Sequence, residues 1–177
     1  MDFATLIRHR QSDRKYSGRP VEREKLLICI EAARLAPSAD NSQPWKFIVA
    51  EEPDVKNQLA DAAMLMGMNR FVSGAPVMVA VVAEKSTVMS SLGGALNRKE
   101  FSLMDVGIAV SHFCLQAADI GLGTCIIGWF DEKRVKKILG IDSQKRVALL
   151  ISVGYSESPV REKRRKSIEE MSSWNRY

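Results

Sequence analysis

Apolar positions along this chain fall into short periodic stretches separated by polar breaks, and the period of each stretch predicts its conformation. Asp2 stands just ahead of "FATLIRH" and caps a short helix ending near His9. "RQSDRKYSGRPV" then interrupts the pattern. A second helix, about Arg23 to Leu35, puts Leu26, Leu27, Ile30 and Ala33 on one face. Pro37 ends it, because the residue before a proline is pushed out of helical geometry. Trp45 to Ala50 reads as a strand, and Pro53-Asp54 opens a helix that fades at Gly67. "GAPVMVAVVAE" is a valine-rich, nearly continuous apolar run, the pattern of a central strand covered on both faces. Residues 84–101, with Ser90, Ser91, Gly93 and Gly94, are the most loop-like stretch and suit a mobile cover over a site.

The segment from about Phe101 to Ile120 carries its polar residues Asp105, His112, Gln116 and Asp119 at steps of seven, four and three. Those steps place them on one narrow stripe, while Met104, Ile108, Phe113, Leu115 and Ala118 cover the rest. A helix so apolar around its circumference must be buried on most sides, and a subunit interface is a natural second cover. Gly121 supplies the left-handed stop. A helix capped by Asp131 and ended by Gly140 follows, then a last strand from Arg146 to Tyr155. The tail from Ser156 is basic and carries Trp174 and Tyr177, large aromatics that suggest docking on another subunit.

A length of 177 residues fits one domain with a real core. Net charge changes the picture: it is +5, with basic clusters at Arg8, Arg10, Arg14, Lys15 and Arg19 and again at Arg161, Lys163, Arg164, Arg165 and Lys166. Such clusters favour anionic partners. Aromatic residues are not interleaved with "REKRRK" as base-stacking platforms would be, which argues against a nucleic-acid role. Three separated cysteines, Cys29, Cys114 and Cys125, make no CxxC pair, and with two isolated histidines they predict neither disulfide nor metal site. Reduced thiols, an N-terminus unlike a signal peptide, and an apolar run at Ala75–Ala83 too short for a membrane span point to a soluble cytoplasmic protein.

The chemistry offered by the side chains is sparse. "GLGTCIIG" fails as a dinucleotide fingerprint, since its third glycine would fall on Ile126 and the motif follows a helix rather than a strand. There is no GxxxxGK[ST] phosphate loop, and Ser12 and Ser38 have no histidine at a telling spacing. Any reaction would therefore be carried by a cofactor. Arg10, Ser12 and Arg14, at alternate positions of an extended stretch, point one way and can grip a phosphate. "APSADNSQPWKF" holds Ser38, Asn41, Ser42 and Gln43 between Pro37 and the Pro44-Trp45 pair, which is more order than a linker needs.

Taken in order, "RQSDRKY", "APSADNSQPWKF", "MNRFVSGAPVMVAVVA", "DVGIAVSHFCLQAADIGLGTCIIGWF" and the basic terminal stretch resemble the nitroreductase family of flavin mononucleotide (FMN) enzymes, over about Asp2 to Met171. The resemblance implies an α+β fold with a mixed, largely antiparallel sheet flanked by helices, in an intertwined homodimer. The whole chain would be one FMN-binding domain, with 156–177 as an arm reaching toward the partner. Carried over by position, Arg10, Gln11, Ser12 and Arg14 hold the phosphate and ribityl chain, and Lys163 and Arg165 complete the phosphate site. Gln11 stands where the family often has Arg or His. Pro37, Ser38 and Ala39 match the stretch against the partner's flavin, with Asn41 and Gln43 bracing the loop. Asn69 matches the side chain bonded to the polar edge of the flavin ring, and Ile127 and Gly128 the place where a main-chain N–H meets flavin N5. Larger members often have Glu where Ile127 stands. The activity implied is ping-pong two-electron reduction of nitroaromatic, quinone or similar flat acceptors by NAD(P)H, with no nucleic acid, membrane or metal involved. A dehalogenase-like or flavin-fragmenting enzyme and a non-catalytic flavin-binding or storage protein are the alternatives.

Overall fold

A computed structural model describes residues 1–84 and 100–177 of the chain. Among the described residues, six α-helices and four strands follow in the order α1 (Phe3–His9), α2 (Arg23–Arg34), β1 (Trp45–Ala50), α3 (Pro53–Ala63), β2 (Val77–Ala83), α4 (Phe101–Asp119), β3 (Gly123–Ile127), α5 (Glu132–Leu139), β4 (Arg146–Gly154) and α6 (Ile168–Met171). The expected caps are in place. Asp2 accepts from the Thr5 amide at 3.0 Å, and Asp131 accepts from the Arg134 amide at 3.0 Å. Gly121 and Gly140 take φ of 81° and 62° where α4 and α5 stop.

The strands form one antiparallel sheet in the order β1-β2-β4-β3. A parallel bridge from Ser12 to Thr124 adds the 10–14 stretch beyond β3, so the sheet is mixed at that edge. β2 is central, and its side chains feed two cores. Val77, Val79 and Val81 face α2 and α4, packing with Leu26, Cys29 and Phe113. Met78, Ala80 and Val82 face the other side, with Leu59, Val135 and Leu150. Phe113 is fully buried and stacks on Phe47 with ring centroids 5.6 Å apart. Continuous apolar character along β2 thus reflects burial on both faces within an antiparallel sheet.

One expectation needs correction. Leu27 does not share the buried face of α2; it is 57% exposed, and Ile28 is exposed beside it. The buried stripe is Leu26, Cys29 and Ala33, at steps of three and four. Helix α4 is long and apolar enough, by length and composition, to cross a membrane, a test that core helices also pass. Its Val106, Ala109, Val110, Phe113 and Ala117 lie in the core beneath the sheet and against α2, where they serve as a core helix. The polar stripe of α4 faces α2 and the loop after it: Asp105 meets the Ala39 amide, and His112 Nδ1 meets the Ala32 carbonyl. Met104 and Ile108, on another side, are exposed.

Candidate functional site

The 10–14 stretch is extended, and alternation sorts its side chains. Gln11 and Asp13 point inward and are buried, while Arg10, Ser12 and Arg14 face outward. The bridge to Thr124 and the bond from the Asp13 amide to the Thr124 carbonyl, 2.9 Å, fix this register. Tyr16 locks the end of the stretch, its hydroxyl 2.9 Å from the Asp13 carbonyl and 2.8 Å from Ser152 Oγ. Burial pushes the Tyr16 phenol well above its ordinary range, so it stays a neutral hydrogen-bonding group.

The basic terminal stretch returns to this edge. Arg161 Nη2 donates to the Ser12 carbonyl at 2.8 Å, and Lys163 Nζ donates to the Arg10 carbonyl. Together the two segments enclose a cavity of about 440 Å³ lined by Arg10, Gln11, Ser12, Arg14, Arg161, Glu162, Lys163, Arg164 and Arg165. Six basic side chains surround a single carboxylate there. Burial, and then the positive charge of Arg10, Arg165 and Arg161, push the Lys163 ammonium below the usual lysine range. Among the described residues one carboxylate stands against six cations, and a phosphate would supply further counter-charge.

From Thr124 the strand β3 leads to Ile127 and Gly128, about 13 Å further at roughly 3.3 Å per residue. The Ile127 side chain is buried in the second core with Leu150. A Cβ at Gly128 would meet nothing within 4 Å, so the chain leaves open space there. Asn69, in the left-handed region at φ 56°, donates through Nδ2 to the Ala63 carbonyl at 3.1 Å and the Trp129 carbonyl at 3.2 Å. It pins the turn beside Gly128, and Oδ1 is the amide atom left to meet a ligand. Arg14 stacks near Phe71, 5.8 Å from its centroid, which ties the cation cavity to the Asn69 segment.

Pro37, Ser38 and Ala39 lie elsewhere. They precede β1, at the opposite edge of the sheet from β3, and do not line the cation cavity. The loop is braced as expected. The Gln43 amide donates to Ser38 Oγ at 2.9 Å, and Gln43 Nε2 donates to the Asn41 carbonyl and to Asn41 Oδ1, each at 3.1 Å. Buried Asp105 accepts from the Ala39 amide at 3.2 Å. Asp40, Asn41 and Gln43 all adopt positive φ, which for Gln43 is a strained conformation held by these bonds. Ser42 Oγ is buried without a partner among the described residues.

Of the basic terminal cluster, the family resemblance assigned only Lys163 and Arg165 to the site, and Arg161 and Arg164 line the cavity as well. The signal was present, since 161, 163 and 165 have the same alternation as 10, 12 and 14. Gln11 is also more than a backbone element of the site: its side chain faces inward and bonds Asp13 and the terminal stretch. The expected cover at 84–101 falls, apart from its ends, outside the described residues. "GLGTCIIG" enters a strand rather than a helix, as its failure as a dinucleotide fingerprint required.

This α+β architecture, with its cation cavity at the β3 edge and a braced Pro-Ser loop at the other, defines a fold class that comparison with known proteins identifies. The Nitroreductase family profile matches residues 7–67 and 63–155, and the chain belongs to the nitroreductase family. It is similar to Spy0809 of Streptococcus pyogenes serotype M6, which bears the name NAD(P)H nitroreductase, at 31% identity over 89% of this chain and 91% of that protein. It is also similar to iodotyrosine deiodinase of Thermotoga neapolitana, at 24% identity over 87% and 88% of the two chains. Among solved structures, an FMN-dependent nitroreductase from Clostridium difficile R20291 superposes with a TM-score of 0.83 and 26% identity, covering 99% of this chain and 100% of its own.

Proposed function

We propose that this protein is an FMN-dependent NAD(P)H oxidoreductase, a cytoplasmic homodimer that reduces nitroaromatic, quinone or similar flat acceptors. The observation that carries the reading is the cavity with six cations and one carboxylate, built from both ends of the chain. Those residues suit the FMN phosphate: Arg10 and Arg14 supply guanidinium forks, Ser12 a hydroxyl, and Lys163 and Arg165 further positive charge. The ring would lie toward the open space at Gly128, near Asn69, where a main-chain N–H at Ile127 or Gly128 would meet its edge. FMN, when bound, supplies reversible two-electron chemistry between NAD(P)H and the acceptor in two successive half-reactions.

The remaining work falls to the chain itself. Preorganised N–H donors and nearby cations favour negative charge on a bound ring, and the basic surface raises the local concentration of the anionic nicotinamide cofactor. The Pro37–Ala39 loop, held rigid by Asp105, Ser38 and Gln43, would serve the partner's site across the dimer. Exposed Met104 and Ile108 on α4, and Trp174 and Tyr177 at the end of the 156–177 arm, are the surfaces the second subunit would cover. The residues together form a single FMN-binding domain.

Purified protein should be yellow, and anaerobic NADH or NADPH should bleach its visible absorbance before any acceptor is added. A protein that binds FMN but is not bleached by either donor would favour the storage alternative. The likeness to a deiodinase gives the dehalogenase-like alternative a specific test, in which halogenated and nitro aromatics compete as acceptors.

A further inference from the structure

The cation cavity depends on a terminal segment that has no regular secondary structure between Ser156 and Ser167 apart from one bridge. Its placement rests on a buried polar cluster directly behind the cavity. Gln11 Nε2 donates to Asp13 Oδ1 at 3.0 Å and to the Pro159 carbonyl at 3.1 Å. Gln11 Oε1 accepts from the Arg161 amide at 3.1 Å and from Arg161 Nε at 3.4 Å. Asp13 Oδ1 also accepts from Ser156 Oγ at 2.6 Å, and Ser156 Oγ in turn accepts from the Ser158 amide at 3.1 Å. One buried amide therefore uses both of its donors and its acceptor on Asp13, Pro159 and Arg161, while Asp13 holds Ser156.

We propose that Gln11 is a positioning residue for the anion site: paired with Asp13, it latches the terminal arm so that Arg161 and Lys163 stand opposite Arg10 and Arg14. This rests on the reading of the cavity as the FMN phosphate site. The physical reason for a glutamine is specific. An arginine at position 11 would add charge but could not accept from the Arg161 amide, and a purely apolar residue would leave the Asp13 carboxylate and the Arg161 amide short of partners. A glutamine serves both, because it donates toward the carboxylate and the Pro159 carbonyl while accepting from the arm. The cations along the arm repel one another, so without the latch the segment has a reason to splay away from the 10–14 stretch. Arg161 contributes by closing the latch onto the Ser12 carbonyl.

Full-length protein stripped of flavin is titrated with FMN and, separately, with riboflavin, which has the same ring and no phosphate. Wild type, Gln11→Leu and Arg161→Gln are compared by the ratio of the two dissociation constants, which an unfolded fraction does not alter. Gln11→Leu should reduce the preference for FMN by roughly tenfold or more while riboflavin affinity holds. Trypsin should then cut within 161–166 faster, and the double variant should be no worse than the poorer single one. A variant that keeps the wild-type preference overturns the latch and leaves the phosphate reading standing. Equal loss for both ligands overturns the latch as well, since it marks a general structural role. Wild type with no preference for FMN overturns the phosphate reading and the latch with it.

Discussion

Gly123 opens β3 where Asp13 crosses it, and a Cβ there would stand 2.8 Å from Asp13 Oδ2 and 2.9 Å from the Ser156 Cβ. Backbone and buried carboxylate can approach this closely only without a side chain. Gly123→Ala should destabilise the fold by about 1–3 kcal/mol in denaturant titration, because neither neighbour is a free side-chain end. Glu22 makes a different kind of residue-scale contact. It accepts from the Tyr155 hydroxyl and from Arg19 Nη2 at 2.6 Å, and these bonds lower its carboxyl from 4.5 to about 2. The folded state thus favours the ionised form. The stabilisation is complete above pH 4.5 and disappears as the pH falls toward about 2. Thermal melts across that window should show a loss in wild type that Glu22→Gln makes shallower; an identical slope in both would show the contact is inert. The tyrosine's other partner, Lys25 Nζ at 2.9 Å, joins α2 to the same corner.

At the scale of elements, α4 and the two basic segments carry the weight. Phe113 is fully buried between α4 and the sheet, so Phe113→Ala should cost about 3–5 kcal/mol by chemical denaturation. The 10–14 stretch and the 161–165 stretch line the cavity jointly. Arg14→Ala removes one charge-assisted grip and should weaken FMN binding by roughly 10- to 100-fold in fluorescence titration, with a smaller deficit at high salt. The caps of α1, α4 and α5, the bounds of β1 and the double burial of β2 were legible because each follows from local residue chemistry. Leu27 was misplaced because several apolar residues in succession on α2 leave the buried stripe ambiguous until its neighbours are known.

At the scale of the whole molecule, the apolar surface left on one chain is the main feature. Phe3, Leu27, Ile28, Leu35, Met104 and Ile108 are exposed, several of them around a groove between α1, α2 and α4 of about 770 Å³. Sedimentation should report a dimer, and Ile108→Asp should shift it toward monomer and lower FMN affinity in parallel; a wild-type monomer that binds FMN fully would contradict the shared site. Periodicity and capping chemistry by themselves determined the order and ends of most elements, and alternation set Arg10, Ser12 and Arg14 on one side of an extended stretch. Only the tertiary structure decided that Arg161 bonds the Ser12 carbonyl, 149 residues away, and that Gln11 turns inward to hold the arm. The reason is that local patterns report a residue's own backbone and the face it presents. Which distant segment meets that face depends on sheet order and on the burial of every element between them.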